Sequence, residues 1–167
     1  MIIFKSSEVN VHSQKDYDDL INSLDFTLLT CPSCRHTGMV VHAYYMRDVR
    51  TDESIFRLKV VRVRCSSCGR THAVLPDLLI PYSSIPLDVT ILIIEADNAD
   101  EINEILDDFP SLDLADAYRI RKNYRRHWKE RLKSFGLIID DWISRRCLHL
   151  FQMQFMQIRP LCCGYYE

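Results

Sequence analysis

Two Cys-x-x-Cys pairs, Cys31-Pro32-Ser33-Cys34 and Cys65-Ser66-Ser67-Cys68, constrain the folding of this chain more than any other feature. Within each pair the two-residue gap lets both thiolates of one tight turn face a single ion, with backbone N–H groups of the turn directed at the sulfurs. Thirty residues separate the pairs. The chain must therefore leave the first turn and come back beside it, and a β-hairpin is the simplest excursion that does so. The separation exceeds the roughly 15–20 residues usual for such sites, but hairpin length is free as long as its ends meet. The expected ligand is one structural Zn²⁺ held by Cys31, Cys34, Cys65 and Cys68; a closed four-thiolate site leaves no open position for catalysis. A mononuclear iron takes the same ligands, so the metal's identity stays open. Disulfides are disfavoured in a cytosolic chain, and a redox reading lacks its βαβ context. His36 and His72 read as neighbours of the site. Arg35, Arg64 and Arg70 stand where they offset the charge of four thiolates. Cys147 is expected to pack as a small apolar residue, and Cys162-Cys163 to lie in exposed chain near the end.

Hydrophobic patterning organises the rest. The first thirty residues read as strand, helix and strand. Ser13 with Asp16 opens a helix carrying Tyr17, Leu20, Ile21 and Leu24, and Phe26–Thr30 reads as a second strand. Gly38–Arg47 and Ser54–Arg64 form the hairpin around a polar Asp48–Glu53 tip, with a change of phase at Val60-Val61 that a bulge or strong twist would absorb. Prolines at 76, 81 and 86 mark a stiff connector. Helices are expected over about Leu87–Ala96, from Asn98 with Glu101 in the capping position, from Asp113 through Phe135, and over about Leu137–Ile158. The domain organisation expected is an N-terminal strand and helix (1–27) packing on a zinc ribbon (28–80), then a helix-turn-helix unit (85–135), then an apolar helix and tail (136–167). The fold class is α+β.

Of the 167 residues, 47% are hydrophobic, and the four glycines are outnumbered by eight Tyr, seven Phe and two Trp, which excludes a disordered chain. No apolar run approaches the roughly 18 residues of a membrane span. Met1-Ile2-Ile3-Phe4-Lys5 has no secretory pattern, so a cytoplasmic location without membrane contact is expected. The net charge of −2 conceals strong segregation: residues 81–116 hold ten acids and no Lys or Arg, whereas residues 117–135 hold eight Lys/Arg and one acid.

At about 100° per residue, Ala117, Ile120, Tyr124, Trp128, Leu132 and Phe135 share one face of the basic segment. Arg119, Lys122, Arg126, Lys129 and Lys133 share the opposite face. Like charges at that spacing cost stability, and an anionic partner would relieve the cost. The order of an acidic helix, a turn and a basic helix matches a helix-turn-helix, whose second helix enters the major groove. The competing structural reading pairs the acids of 100–108 with Arg121, Arg125 or Arg131. Arg57, Lys59, Arg62 and Arg64 on the second hairpin strand add a second positive surface, a feature equally common on strand edges that resist aggregation.

The run Arg62-Val-Arg-Cys65-Ser-Ser-Cys68-Gly-Arg-Thr-His72-Ala-Val-Leu-Pro76, with Cys31-Pro-Ser-Cys34 before it and Ile80-Pro-Tyr82 after it, resembles an uncharacterised bacterial zinc-ribbon family. That family is similar to the N-terminal region of insertion-sequence transposases, and the likeness covers about residues 28–135. The resemblance implies that the four cysteines are ligands and that a DNA-binding helix-turn-helix follows. It implies no catalysis, because the 32 residues after Phe135 are too few for a nuclease domain.

The function expected is duplex-DNA binding, associated with a mobile element or transcription control. Tyr118, Arg119 and Lys122 would read bases and Arg126, Lys129 and Lys133 would hold phosphates. Trp142, Ile143, Leu150, Phe151 and Phe155 of the last helix are expected to bury within the domain; the alternative, a homodimer paired through them, would double the phosphate contacts. The rivals are an RNA- or single-strand-binding ribbon stacking bases on Tyr44, Tyr45 and Phe56, and a protein-interaction module of a transposition complex. Asp107, Asp108, Asp140 and Asp141 have no His or nucleophile at a recognisable spacing, so no enzymatic activity is expected.

Overall fold

The hairpin between the cysteine pairs sets the architecture. A computed structural model describes residues 1–5, 11, 13–159 and 163–166. Strand β1 (Ile2–Phe4) is followed by α1 (Gln14–Asn22), a 3₁₀ turn (Phe26–Leu28), and strands β2 (Met39–Arg50), β3 (Ile55–Cys65) and β4 (Thr71–Pro76). Helices α2 (Leu87–Glu95), α3 (Ala99–Asp108), α4 (Leu114–His127), α5 (Lys129–Ser134) and α6 (Ile143–Phe151) come next, and β5 (Gly164–Tyr166) closes the order. The strands form one mixed sheet in the order β2-β3-β4-β1-β5, antiparallel through β4 and parallel on either side of β1. No helix among the described residues is long and apolar enough to cross a membrane.

Three helix starts follow their local signals. Ser13 accepts from the Asp16 N–H, Asn98 from the Glu101 N–H, and Asp113 from the Asp116 N–H in a reciprocal capping box. Elsewhere tertiary contacts override local pattern. Phe26–Leu28 is a 3₁₀ turn rather than a strand, because the Asp25 carboxylate accepts from both the N–H and the hydroxyl of Thr27 and curls the chain. Of the expected strand only Thr30 pairs, with Thr37. The helix expected from Asp113 to Phe135 breaks at Trp128, where φ and ψ are −122° and −38°. Phe135, placed by periodicity on the buried face, is 58% exposed.

The last helix ends at Phe151, not near Ile158: Gln152 turns left-handed, and the chain after it is stitched down by two fully buried glutamines. Gln157 Oε1 accepts from the Gln154 N–H at 3.1 Å, and Gln154 Nε2 donates to the Asp77 carbonyl. The C-terminal chain, expected to be exposed, supplies β5 beside β1, and Cys163 is buried; Cys162 lies outside the described residues. The N-terminal strand sits between β4 and β5 in the sheet.

Both Val60 and Val61 are buried, so the hairpin's buried side changes between them. The register irregularity lies on the partner strand, between Val41 and Ala43. Below this point α1 replaces β4 along the edge of β3. Gln14 Oε1 accepts from the Lys59 N–H at 2.7 Å and its Nε2 donates to the Lys59 carbonyl. The Tyr17 hydroxyl accepts from the Val61 N–H at 3.0 Å and donates to the Val74 carbonyl at 2.9 Å.

Two apolar clusters result. One lies under the sheet and α1. The other joins α2, α4, α5 and α6 around Trp128, whose ring meets Phe155 and Phe151 edge to face at 5.4 and 6.0 Å. Ile143 and Phe155 of the last helix pack in this cluster with Phe151 against it; Trp142 and Leu150 are exposed.

Candidate metal centre and nucleic-acid interface

The hairpin brings the two cysteine turns together at its base. Sγ atoms of Cys31, Cys34, Cys65 and Cys68 all lie within 4.8 Å of one another. Cys31–Cys68 and Cys34–Cys65 are each 3.7 Å apart, far longer than a disulfide of about 2.05 Å. Four sulfurs bound at about 2.3 Å to one tetrahedral ion stand about 3.8 Å apart. The cluster therefore has the size of a four-thiolate metal site.

The two turns share one construction. Cys31 N–H donates to the His36 carbonyl and Arg35 N–H to the Cys31 carbonyl; Cys65 N–H donates to the Arg70 carbonyl and Gly69 N–H to the Cys65 carbonyl. The residue after each second cysteine is left-handed, Gly69 at φ +68° and Arg35 at φ +64°. Glycine takes this conformation freely; an arginine is strained in it.

The thiols are not equivalent. Burial pushes Cys31 up, but the N–H groups of Cys34 and Ser33 and the thiols of Cys68 and Cys34 outweigh it and bring it to about 7. The Cys68 N–H lowers Cys65 in the same way. At Cys68 the Arg70 N–H favours the thiolate, yet burial and the three neighbouring sulfurs push it up to about 11. Four such groups cannot all ionise side by side without a cation among them, and a divalent metal supplies that charge. His72 packs against the cluster with Nε2 3.4 Å from Cys31 Sγ, while Nδ1 lies 3.2 Å from the Met1 amino group. Burial, then the amino terminus, Arg70 and Arg62, hold His72 down at about 4, so it stays neutral. With Nδ1 accepting from the ammonium, Nε2 carries the proton and points it at the sulfur. Cys147 is fully buried in the helical cluster, and burial pushes its thiol up to about 12.

The expected cations of α4 and α5, Arg119, Lys122, Arg126, Lys129 and Lys133, are all exposed, but the break at Trp128 divides them between two helices. Arg119 is paired: its guanidinium and that of Arg50 hold the buried Asp116 carboxylate. Lys122 stands 5.7 Å over the exposed Tyr118 ring. The Asp and Glu side chains of α3 make no ion pair with α4 or α5 among the described residues; Glu101 instead accepts from Asp97 and Asn98. Arg125, read from sequence as a flank residue for those acids, is exposed and falls between Leu114 and Tyr118 in helical phase. Leu114 and Tyr118 themselves are 63% and 64% exposed, an unusual apolar pair at the start of a basic helix. The exposed-apolar signal was absent from the sequence because periodicity alone does not say which stripe is covered.

The hairpin cations do not make one surface. Strand alternation puts Arg57 and Lys59 on one face and Arg62 and Arg64 on the other, and three of the four are engaged. Arg57 pairs with Asp48 at 3.3 Å, Lys59 stands 4.5 Å over Tyr44, and Arg62 donates to the Thr71 hydroxyl at 2.7 Å. Tyr44 and Tyr45 point to opposite faces, and Phe56 and Tyr45 are half-buried against the sheet core, so the three rings do not form one stacking platform.

Residues 31–108 match a family described as a domain of unknown function (DUF6431), a span that opens on the first cysteine of the cluster and ends with α3. No curated protein and no solved structure matches the chain.

Proposed function

We propose that the protein binds duplex DNA through α4 and α5, with Zn²⁺ in the four-cysteine site as a purely structural ion. It would serve a mobile element or transcription control as a binding protein and not as an enzyme. In this reading α2, α3 and α4 act as a helix-turn-helix unit resembling that of transposase-linked zinc ribbons. Zinc would be held by Cys31, Cys34, Cys65 and Cys68, contributing folding energy and no reaction chemistry.

The observation that carries the reading is the set Lys122, Arg125, Arg126, Lys129 and Lys133, exposed and, among the described residues, without a carboxylate partner although residues 81–116 hold ten acids. A fold that needed only to neutralise the basic helix has α3 at hand and does not use it. Arg119 leaves the DNA-contacting set, because its charge is committed to Asp116. Tyr118 and Leu114 offer apolar contact to base edges such as the thymine methyl, with Lys122 and Arg125 beside them.

The test is anisotropy of a fluorescent duplex across a salt series. Five phosphate contacts give a log–log slope of about −4.5, and reversing two of them (Lys122→Glu with Arg126→Glu) lowers affinity about 30-fold or more at low salt and flattens the slope by about two. Unchanged affinity in that variant would overturn the reading.

A further inference from the structure

A groove of about 960 Å³ runs between the first cysteine turn and α6, on a surface distinct from α4. Its lining includes Arg35, Trp142, Arg145, Arg146, His149 and Gly164 of β5. Trp142 at the N-cap of α6 and Arg145, Arg146 and His149 on the helix follow helical spacing along the groove, with Leu148 also in its lining, while the opposite face buries Ile143 and Cys147. Among the described residues lining it are three guanidinium groups, those of Arg35, Arg145 and Arg146, and the carboxylate of Asp140, which Arg146 holds at 2.5 Å.

Two features go beyond a charged surface. Trp142 is 46% exposed, with Lys5 Nζ 4.6 Å and Arg145 Cζ 5.4 Å from its ring. An indole left open in a cationic groove offers a flat surface for a planar group and ammonium and guanidinium groups for the charge attached to it. Arg35 projects from the position where the equivalent turn has Gly69, in the same left-handed conformation, and it is exposed. An arginine thus stands where the turn would take a glycine, and its side chain lines the groove.

We propose that this groove binds a single strand of nucleic acid, one unpaired base stacking on Trp142 and the flanking phosphates meeting Arg35, Arg145 and Lys5. A duplex presents phosphates but not the face of a base, and an acidic peptide presents charge without a flat ring; an unpaired base on a phosphodiester strand matches both halves of the groove. The volume fits a few nucleotides and is far larger than a single anion needs. On stacking, the base displaces the flexible Lys5 side chain, whose ammonium moves to the adjacent phosphate.

The chain's two tryptophans make the test direct, because Trp128 is fully buried and Trp142 is open. Titrating the metal-loaded protein with an eight-residue oligothymidylate at low salt should quench the exposed fraction of tryptophan emission saturably. In anisotropy with a labelled strand, Trp142→Ala should weaken binding about 10-fold, and Arg35→Glu should weaken it and flatten the salt dependence. Both positions are exposed, and an unchanged thermal midpoint verifies each fold. The Lys122→Glu/Arg126→Glu variant should keep the quenching in full, so failure of the duplex reading and failure of this one are separable. Absence of quenching overturns the proposal. So does equal quenching by inorganic tripolyphosphate or by an oligoglutamate, which would make the groove a general anion site, and so does unchanged strand affinity in Trp142→Ala.

Discussion

Tyr17 shows how much a single hydroxyl can carry in this fold. Strands β3 and β4 pair from Arg64↔Thr71 to Arg62↔Ala73 and then part. At the next step the Val61 N–H and Val74 carbonyl, which would otherwise face each other unsatisfied in the core, are bridged by the Tyr17 oxygen. The phenol is 1% exposed, and burial raises its pKa above the ordinary value despite the Val61 bond, so it remains a neutral donor and acceptor throughout the working pH range. Tyr17→Phe keeps the ring and removes the bridge, stranding a buried donor and acceptor. The expected loss is about 2–3 kcal/mol, since each unsatisfied buried group costs about 1–3 kcal/mol, seen as a lower urea midpoint at unchanged slope. A loss below about 0.5 kcal/mol would mean that water reaches the gap.

At the scale of elements, the join between hairpin and helices is a charge cluster at the start of α4. Arg50, at the end of β2, donates to the Asp116 carboxylate and to the Ser111 carbonyl. Arg119 completes the pairing one turn along the helix. Asp116 is thus both the reciprocal half of the capping box and the anchor of the sheet on α4. Asp116→Ala leaves Arg50, only 26% exposed at its side chain, without its counterion. Breaking a buried pair in this way costs about 3–5 kcal/mol, and partial access to water puts this one near about 3 kcal/mol. Thermal melts of Asp116→Ala and Arg119→Ala distinguish the two partners, because Arg119 is largely exposed and its loss should cost under about 1 kcal/mol.

The same cluster explains what could be read without coordinates. The starts of α1, α3 and α4 were legible because a cap is a contact over three residues. The four cysteines were legible because each turn's spacing is local and the hairpin between them is strongly patterned. The break at Trp128 was not, since the helical pattern runs on past it and only the packing of its ring on Phe151 and Phe155 shows in three dimensions. Nor was β5: three residues acquire strand geometry solely by pairing with β1, about 160 positions away in the chain. The pairing of Arg119 escaped for a related reason, because its partner Asp116 is fixed in place by Arg50, which only the fold brings there.

For the whole molecule, the four-cysteine cluster closes a loop at the base of the hairpin, beside the sheet cluster. Cys31 and Cys65 are fully buried members of the sheet cluster, and β4 leaves directly from the second cysteine turn to meet β1. The clusters touch where the chain passes from Leu79 to Ile80. Without a cation, four thiols are crowded into a space where they cannot all ionise, so the apo protein must keep protons there or open the turns. Removing the metal with a strong chelator should therefore lower the thermal midpoint of the entire fold, by about 10 °C or more given the size of structural metal-binding energies.

The pH dependence follows from the same thiols. Cys31, at about 7, and Cys65, also lowered, lose their protons more readily in the folded chain than thiols ordinarily do. Their contribution to stability is complete above the ordinary thiol value and is lost as pH falls through about 7. Cys68, raised to about 11, still holds its proton at neutrality, so the incoming ion must displace it. Metal affinity should then rise with pH across the whole interval from 6 to 8, by at least about tenfold per unit for that one displaced proton. Competition with a chromophoric chelator at fixed metal activity measures this directly. An affinity flat over that interval would mean that no thiol proton is released on binding, and would remove the four cysteines as the ligands.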